Sequence, residues 1–507
     1  MDISAAATHA GTRDLSNVKR LPILISLIIG AFFSILNETL LNIAFVDLTH
    51  EFSINYSTVQ WLSTAYMLVV GILIPVSALL VQSFTTRQMF LGAMALFTIG
   101  TLVCALAPSF SVLLIGRVIQ ALSTGLMLPV MMNTILVLYP PEQRGAAMGS
   151  MGLVLMFAPA IGPTLSGLIL DALSWRWLFW IVLPFAVFAF LFAFVYLRNV
   201  TDVTKPKVDI LSILLSTVAF GGIVFGFSSL GESFMSEHGK GWGEPKVYLT
   251  IAAGAAALVL FVWRQLKMRQ PLLDLRAFKS PMFSLGTVLI IIVMMSLFST
   301  LMLLPILLQQ GMGKTAFIAG LILLPGGIVN GFLSPVTGKL FDKFGPRALV
   351  IPGAVILAVV MWFFTQIQLD TAASTIILLH CIMSLAMSMI MMPAQTNGLN
   401  QLPPQYYPHG SAILSTLQQV AGAIGIAFFM SIMSSGMADH VKELAATNPE
   451  ALADTQKVIA ESTNAGIHSA FTIGLVFAVI AIVISFFIRR STAPTASAQA
   501  SETPKAG

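Results

Sequence analysis

The sequence predicts an all-α membrane protein, and three observations predict it. Of its 507 residues, 57% are hydrophobic and only 9% are charged, where a soluble domain carries about 25%. The mean hydropathy is +0.90. The chain also divides into fourteen apolar stretches, each close to the roughly 20 residues a helix needs to cross the hydrocarbon.

The elements follow in order. Residues 1–21 are polar, hold Arg13, Lys19 and Arg20, and are expected to form a cytoplasmic tail. The apolar stretch after them lacks a small-residue cleavage site, so it is expected to be a retained span, not a signal peptide. Spans at 22–46, 60–81, 88–107, 110–138, 146–170 and 176–197 make an N-terminal half, 22–200. Two more, at 208–230 and 247–264, form with their linker an insertion at 201–280. The last six, at 281–309, 315–338, 347–367, 372–397, 410–436 and 466–488, make a C-terminal half, 281–490. The tail 491–507, rich in Ala, Ser, Thr and Pro, is expected to be a disordered cytoplasmic segment.

An even number of spans puts both termini on one side. With the N-terminus inside, 19 of the 26 basic residues fall on the inner side, six fall outside, and Arg117 lies within a span. Cytoplasmic loops carry such an excess of Lys and Arg, which predicts a multi-pass protein of the cell membrane with both termini cytoplasmic. The same bias accounts for the net charge of +5 without nucleic acid. The acidic stretch 437–465 is then an external loop. Two cysteines, Cys104 and Cys381, lie in apolar segments and exclude a disulfide framework.

An internal repeat appears next. The loop after span ten reads GKLFDKFGPR, 338–347, and the loop after span two reads ALLVQSFTTR, 78–87. Both close the second helix of a six-helix block. Repeated halves point to a transporter with a site near the midplane between them, leaving spans seven and eight as the insertion. Asp342 is suited to accept from a neighbouring helix N-terminus and to pair with Lys343 or Arg347, while Gly345 and Pro346 make the turn. In the first copy Gln82 replaces the acid and Thr85 the glycine, which weakens any charge lock there. The decapeptide 338–347 resembles the cytoplasmic-loop signature of the major facilitator superfamily. That resemblance implies the superfamily's fold and a cytoplasmic gate at Gly338, Asp342, Gly345 and Arg347.

Span five, GSMGLVLMFAPAIGPTLSG at 149–167, resembles the superfamily's antiporter motif. The motif positions are Gly149, Ala158, Gly162, Pro163, Ser166 and Gly167, with small residues in place of two glycines. Small residues let helices approach closely, and Pro159 and Pro163 each remove a backbone bond. With fourteen spans and SWRWLFW at 174–180, the chain resembles the fourteen-span drug:H⁺ antiporter family, most of all its bacterial lincomycin-resistance and quinolone-exporting members.

Span one contains ILNETLLNIAF, 35–45, with an acid in an apolar run. Ser34, Glu38 and Asn42 recur at i, i+4 and i+8 and form one polar stripe. Lipid exposure of that stripe costs several kcal/mol, so it is expected to face the bundle. A carboxyl there can load and release a proton as its surroundings alternate; the alternative is a fixed structural hydrogen bond. The family's first-helix motif is Leu-Asp-x-Thr-x-x-Asn. Here Asn37 holds the aspartate position and the acid follows one place later, about 100° round the helix. Span four carries GRVIQALSTG, 116–125, resembling the family's Arg-x-x-Gln-Gly motif with Ala121 for the glycine. Arg117, Gln120 and Thr124 share a face, and Arg117 is the expected partner of Glu38, directly or through water.

One proton per cycle is sufficient. A potential supplies about 2.3 kcal/mol per charge per 100 mV, so ~150 mV sustains a few hundredfold accumulation. No cofactor is expected: the proton gradient drives transport, and no phosphate-cradling loop is visible. Other polar residues within spans, Asn330, His380, Gln395 and Gln418, are expected to line a substrate cavity, with methionines of span twelve. Glu38 as the main central acid favours amphipathic, neutral or monocationic substrates such as lincosamides, quinolones or dyes. The expected partners are such small molecules, H⁺ and the bilayer, with the chain monomeric. The alternatives are an exporter of one metabolite (an amino acid, peptide or siderophore) and a receptor or scaffold that has lost transport. An enzyme is disfavoured, because HExxH and nucleophile arrangements are absent from the sequence.

Overall fold

A computed structural model describes residues 20–54, 56–59, 61–152, 157–200, 203, 209–235, 241–268, 271–447 and 454–490. The expected tails 1–19 and 491–507 lie outside the described residues. Seventeen α-helices are described. In chain order they are α1 (Arg20–Leu40), α2 (Phe45–Phe52), α3 (Tyr56–Val59), α4 (Trp61–Ser83), α5 (Thr86–Ala105), α6 (Phe110–Leu138), α7 (Arg144–Gly152), α8 (Ala158–Ala172) and α9 (Trp177–Tyr196). Then come α10 (Ile210–Met235), α11 (Pro245–Lys267), α12 (Pro281–Ile306), α13 (Ala316–Phe344), α14 (Arg347–Phe364), α15 (Ala373–Asn400), α16 (Tyr407–Thr447) and α17 (Thr455–Phe486).

Among the described residues, thirteen helices are long and apolar enough to cross a membrane. The predicted fifth span, 146–170, is represented by α7 and α8, which flank residues 153–156. Two expectations need correction. Span one does not run evenly from 22 to 46: α1 ends at Leu40 and a 3-10 turn, Leu41–Ala44, leads into α2. The change of pitch breaks the regular stripe, so Asn42 lies in the 3-10 turn and not on the straight face of Ser34 and Glu38. The stretch 437–465 is also not simply a loop. α16 continues to Thr447 and α17 begins at Thr455, so two helices project beyond the hydrocarbon. At 1.5 Å per residue, the 41 residues of α16 reach roughly twice a ~30 Å core.

Packing falls into two sets. In the first, α1 lies on α6, α8 and α9, while α5 lies on α6 and α9 and α4 on α6. In the second, α12 lies on α15, α16 and α17, while α14 lies on α15 and α17 and α13 on α15. The pairings correspond one to one, and side chains repeat them. Arg87 Nη2 donates to the Phe194 carbonyl at the end of α9 at 2.6 Å. Arg347, at the equivalent place, donates from Nε to Ile488 at 2.6 Å and from Nη2 to Phe486 at 3.2 Å, at the end of α17. The sets meet along two seams, α7 and α8 on α13, and α4 on α16. The inserted α10 touches both α4 and α16, and α11 packs on α10.

Candidate functional site

The centre of the first set is built around Arg117, a guanidinium with no exposed surface. Its place on α6 brings it to three neutral groups. Nη1 donates to Asn37 Oδ1 on α1 at 3.1 Å and to Gln120 Oε1, one turn along α6, at 3.1 Å. The ring of Tyr66, on α4, lies 4.1 Å from the guanidinium carbon, a cation–π contact that gains strength when desolvated. Two of these supports are themselves held. Gln120 Nε2 donates to Thr101 on α5 at 2.8 Å. Tyr66 and Thr124 share a hydroxyl hydrogen bond of 2.6 Å. Arg117 Nε and Nη2 and Asn37 Nδ2 have no partner among the described residues.

Glu38 stands beside this group without joining it. No hydrogen bond or ion pair of Glu38 is present among the described residues, although its charge and that of Arg117 are within electrostatic reach. The residue as a whole is half-buried. Ser34 is buried and donates to its own helix at Gly30, at 2.9 Å. The side chain of Asn42 lies outside the described residues.

The motif helices connect this centre to the other half. A methyl group on Gly162 of α8 would run into Thr39, and Ser166 Oγ donates to the Leu40 carbonyl at 2.7 Å. The start of α8 therefore presses on the turn that follows Glu38. Ala158 is fully buried and Gly167 faces Phe317 of α13. The side chain of Pro163 lies outside the described residues. Gly149, on α7, faces Ser334 and Pro335 of α13. Small residues allow this backbone-to-backbone approach.

At the face that carries both described ends, the seam between α7 and α13 is closed. Asp342 Oδ1 accepts from Gly145 N at 2.9 Å and Oδ2 from Ala146 N at 3.0 Å. A carboxylate at the start of a helix meets unpaired N–H groups and the positive end of the dipole. Gly338 lies so close to the Gly145 carbonyl that any Cβ would overlap it. Gly345 has φ +81°, the left-handed region that favours glycine, and ends α13. The expected pairing of Arg347 with Asp342 does not occur; Arg347 is taken by the α17 carbonyls. The second seam is neutral, with Gln82 Nε2 and His409 Nε2 3.4 Å apart.

The remaining predicted cavity residues separate into two places. Asn330 donates to the Ser384 carbonyl at 3.1 Å and accepts from Ser334 at 3.1 Å. His380 is buried against Gly326, with Nδ1 unpartnered. Gln395 Nε2 meets the Met132 sulfur at 3.5 Å, as does Ser415 Oγ at 3.4 Å, joining α15 and α16 to α6 across the halves. Gln395 Oε1 and Gln418 Nε2 have no partner among the described residues.

Tyr66 and Arg144 do not stand out in the sequence, where Arg144 is one of the basic residues of the inner loops. It is buried and donates to Asn400 Oδ1 at 3.0 Å and to the Leu136 and Tyr139 carbonyls, with its guanidinium 4.9 Å from the Tyr407 ring. An arginine two residues before the span, following a Pro-Pro turn, was the available signal. Tyr66 had no signal beyond its hydroxyl in an apolar run.

The comparisons with known proteins agree with this architecture. The Major Facilitator Superfamily model matches residues 27–426. The chain is 54% identical over 472 residues to the lincomycin resistance protein LmrB of Bacillus subtilis (strain 168), covering 93% of this chain and 96% of that one. It is 52% identical to the protein of the same name in Listeria monocytogenes, covering 94% of this chain and 98% of that one. Among solved structures, the human organic anion transporter MFSD10 aligns with a TM-score of 0.62 at 13% identity, covering 92% of this chain and 99% of that one. The proton:xylose symporter XylE aligns with a TM-score of 0.57 at 16% identity, covering 93% and 96%. With helices that pair in two corresponding sets, a match over most of its length and relatives above half identity, this chain belongs to the Major Facilitator Superfamily and is a membrane transporter, not an enzyme.

Proposed function

We propose that the chain exports amphipathic drugs from the cell in exchange for protons, with Glu38 carrying the proton. The observation that carries this reading is the pair at the centre. Arg117 is fully buried with two donors that meet no acceptor among the described residues, and the half-buried Glu38 is within electrostatic reach of it. An unpaired buried cation is costly, so ionised Glu38 is drawn to it, and protonation releases that attraction. A group whose interactions change in this way can be loaded from one side and emptied to the other. Alternating access follows from the two seams, because the halves can close at one face only by parting at the other. The name of the relatives at 54% and 52% identity points to lincosamides. The orientation is set by the basic residues, with both termini cytoplasmic in the cell membrane. The chain works as a monomer, since α1, α4, α5 and α6 of one chain complete the central cluster, and the proton gradient is the energy source.

Drug efflux in everted vesicles, with and without a protonophore, tests the reading on the intact protein and on Glu38→Gln. We expect the variant to lose at least tenfold of its protonophore-sensitive rate while inserting normally. Equal protonophore-sensitive rates in the two proteins would remove Glu38 from the mechanism.

A further inference from the structure

We propose that Asn37 and Tyr66 are positioning residues that keep Arg117 in one place through both protonation states of Glu38. The proton step then moves the carboxylate and leaves the guanidinium still. This rests on the reading above and adds a division of labour to it: one residue anchors the arginine and its neighbour titrates.

The groups that hold Arg117 are neutral. Asn37, Gln120 and Tyr66 take its Nη1 hydrogen bonds and its face. None of them changes charge across the pH range in which a transporter works. Thr101 and Thr124 then hold Gln120 and Tyr66. The whole assembly spans α1, α4, α5 and α6, so it persists whatever the state of Glu38. The titratable groups facing this cluster are Glu38 on α1, Arg117 on α6, Tyr66 on α4 and Cys104 on α5.

Nε and Nη2 have no acceptor among the described residues, and a buried donor left unmade costs the desolvation of the group. Glu38 is the carboxyl within electrostatic reach of them, so its ionised form adds to a hold that Asn37, Gln120 and Tyr66 already provide. The Glu38 side chain can rotate between rotamers without moving the turn of α1 that it shares with Asn37. Asn37, one residue earlier, is on the arginine already. Had the acid stood at position 37, the proton carrier would itself be the anchor, and the arginine would lose its hold at each protonation.

The test uses the full-length protein in proteoliposomes, measuring protonophore-sensitive dye efflux from pH 6 to 8 together with equilibrium dye binding. Asn37→Asp puts a second carboxyl on Arg117, in competition with Glu38. We expect efflux to fall at least tenfold and its pH dependence to flatten, with dye affinity changed by less than threefold. Tyr66→Phe keeps the ring and is expected to retain at least half the rate; Tyr66→Leu is expected to fall at least tenfold. A wild-type rate and pH profile in Asn37→Asp, or in Tyr66→Leu, overturns the proposal. Should one variant fail to insert, the other decides alone. If Glu38→Gln loses coupling while Asn37→Asp and Tyr66→Leu behave as wild type, only the positioning role fails. If Glu38→Gln stays coupled, the underlying reading fails instead.

Discussion

Asp342 shows how much one carboxylate does at the residue scale. It satisfies two N–H groups at the start of α7 from the far side of a seam, so its loss weakens the link between halves and little else. Asp342→Asn keeps one acceptor but surrenders the charge at the helix N-terminus. The expected cost is about 1–2 kcal/mol, roughly five- to thirtyfold in the ratio of closed to open conformers. Distance measurements between spin labels on the two halves would detect that shift, and an unchanged distribution would show that the cap does not hold the seam. Gly338 offers a stricter version of the same test. A methyl group there meets the Gly145 backbone, which cannot rotate away, so Gly338→Ala is expected to disfavour the closed conformer more than Asp342→Asn does.

At the scale of the element, the inserted helices are pinned to one another and to the chain that follows. Arg264 donates to both carboxylate oxygens of Asp209 at 2.9–3.0 Å. Gln265 donates to Ser212 and accepts from Leu272 and Leu273. Burial opposes the charge on Asp209, but the hydrogen bonds from Ser212 and Arg264 outweigh it, and its carboxyl is held below the ordinary 3.8. A carboxyl depressed on folding contributes stability that is complete above its unfolded value and disappears as pH falls through its folded one. The pin is therefore present above about pH 4 and fails only under stronger acid. Thermal unfolding in detergent is expected to show a lower Tm for Asp209→Asn at pH 6 and a gap that narrows as the pH falls below about 4. A gap that does not change with pH would mean that the charge of Asp209 adds no stability.

For the whole molecule, the two faces differ in a way that labelling can read. Lys442 is largely exposed on the projecting end of α16, while Lys343 is exposed at the end of α13 beside the seam closed by Asp342. The native cysteines interfere little, since Cys104 is buried and Cys381 partly so. In intact cells, Lys442→Cys is expected to react with a membrane-impermeant maleimide. Lys343→Cys should react only after permeabilisation. The opposite pattern would invert the molecule and with it the direction of transport.

The gross architecture was legible because bilayer thickness forces long apolar runs, and the excess of basic residues at alternate loops is a property of the chain alone. The repeated loop at 78–87 and 338–347 pointed to two halves before any contact was known, and the lone acid at Glu38 stood out because charge within a span is rare. Other features were illegible for equally physical reasons. Nothing local distinguishes Arg144 as a buried strut from a loop cation, since its burial depends on Asn400 and Tyr407, more than 250 residues away. Arg347 went to the end of α17 instead of Asp342 because only packing determines which carbonyls come within reach. Periodicity could place Glu38 on a face, and it could not foresee that α1 gives way to a 3-10 turn after Leu40. The sequence by itself determined that the chain crosses a membrane in repeated halves with one acid near the middle. The tertiary structure decided that Asn37, not Glu38, holds Arg117, because hydrogen-bond geometry between three separate helices exists only once they are packed.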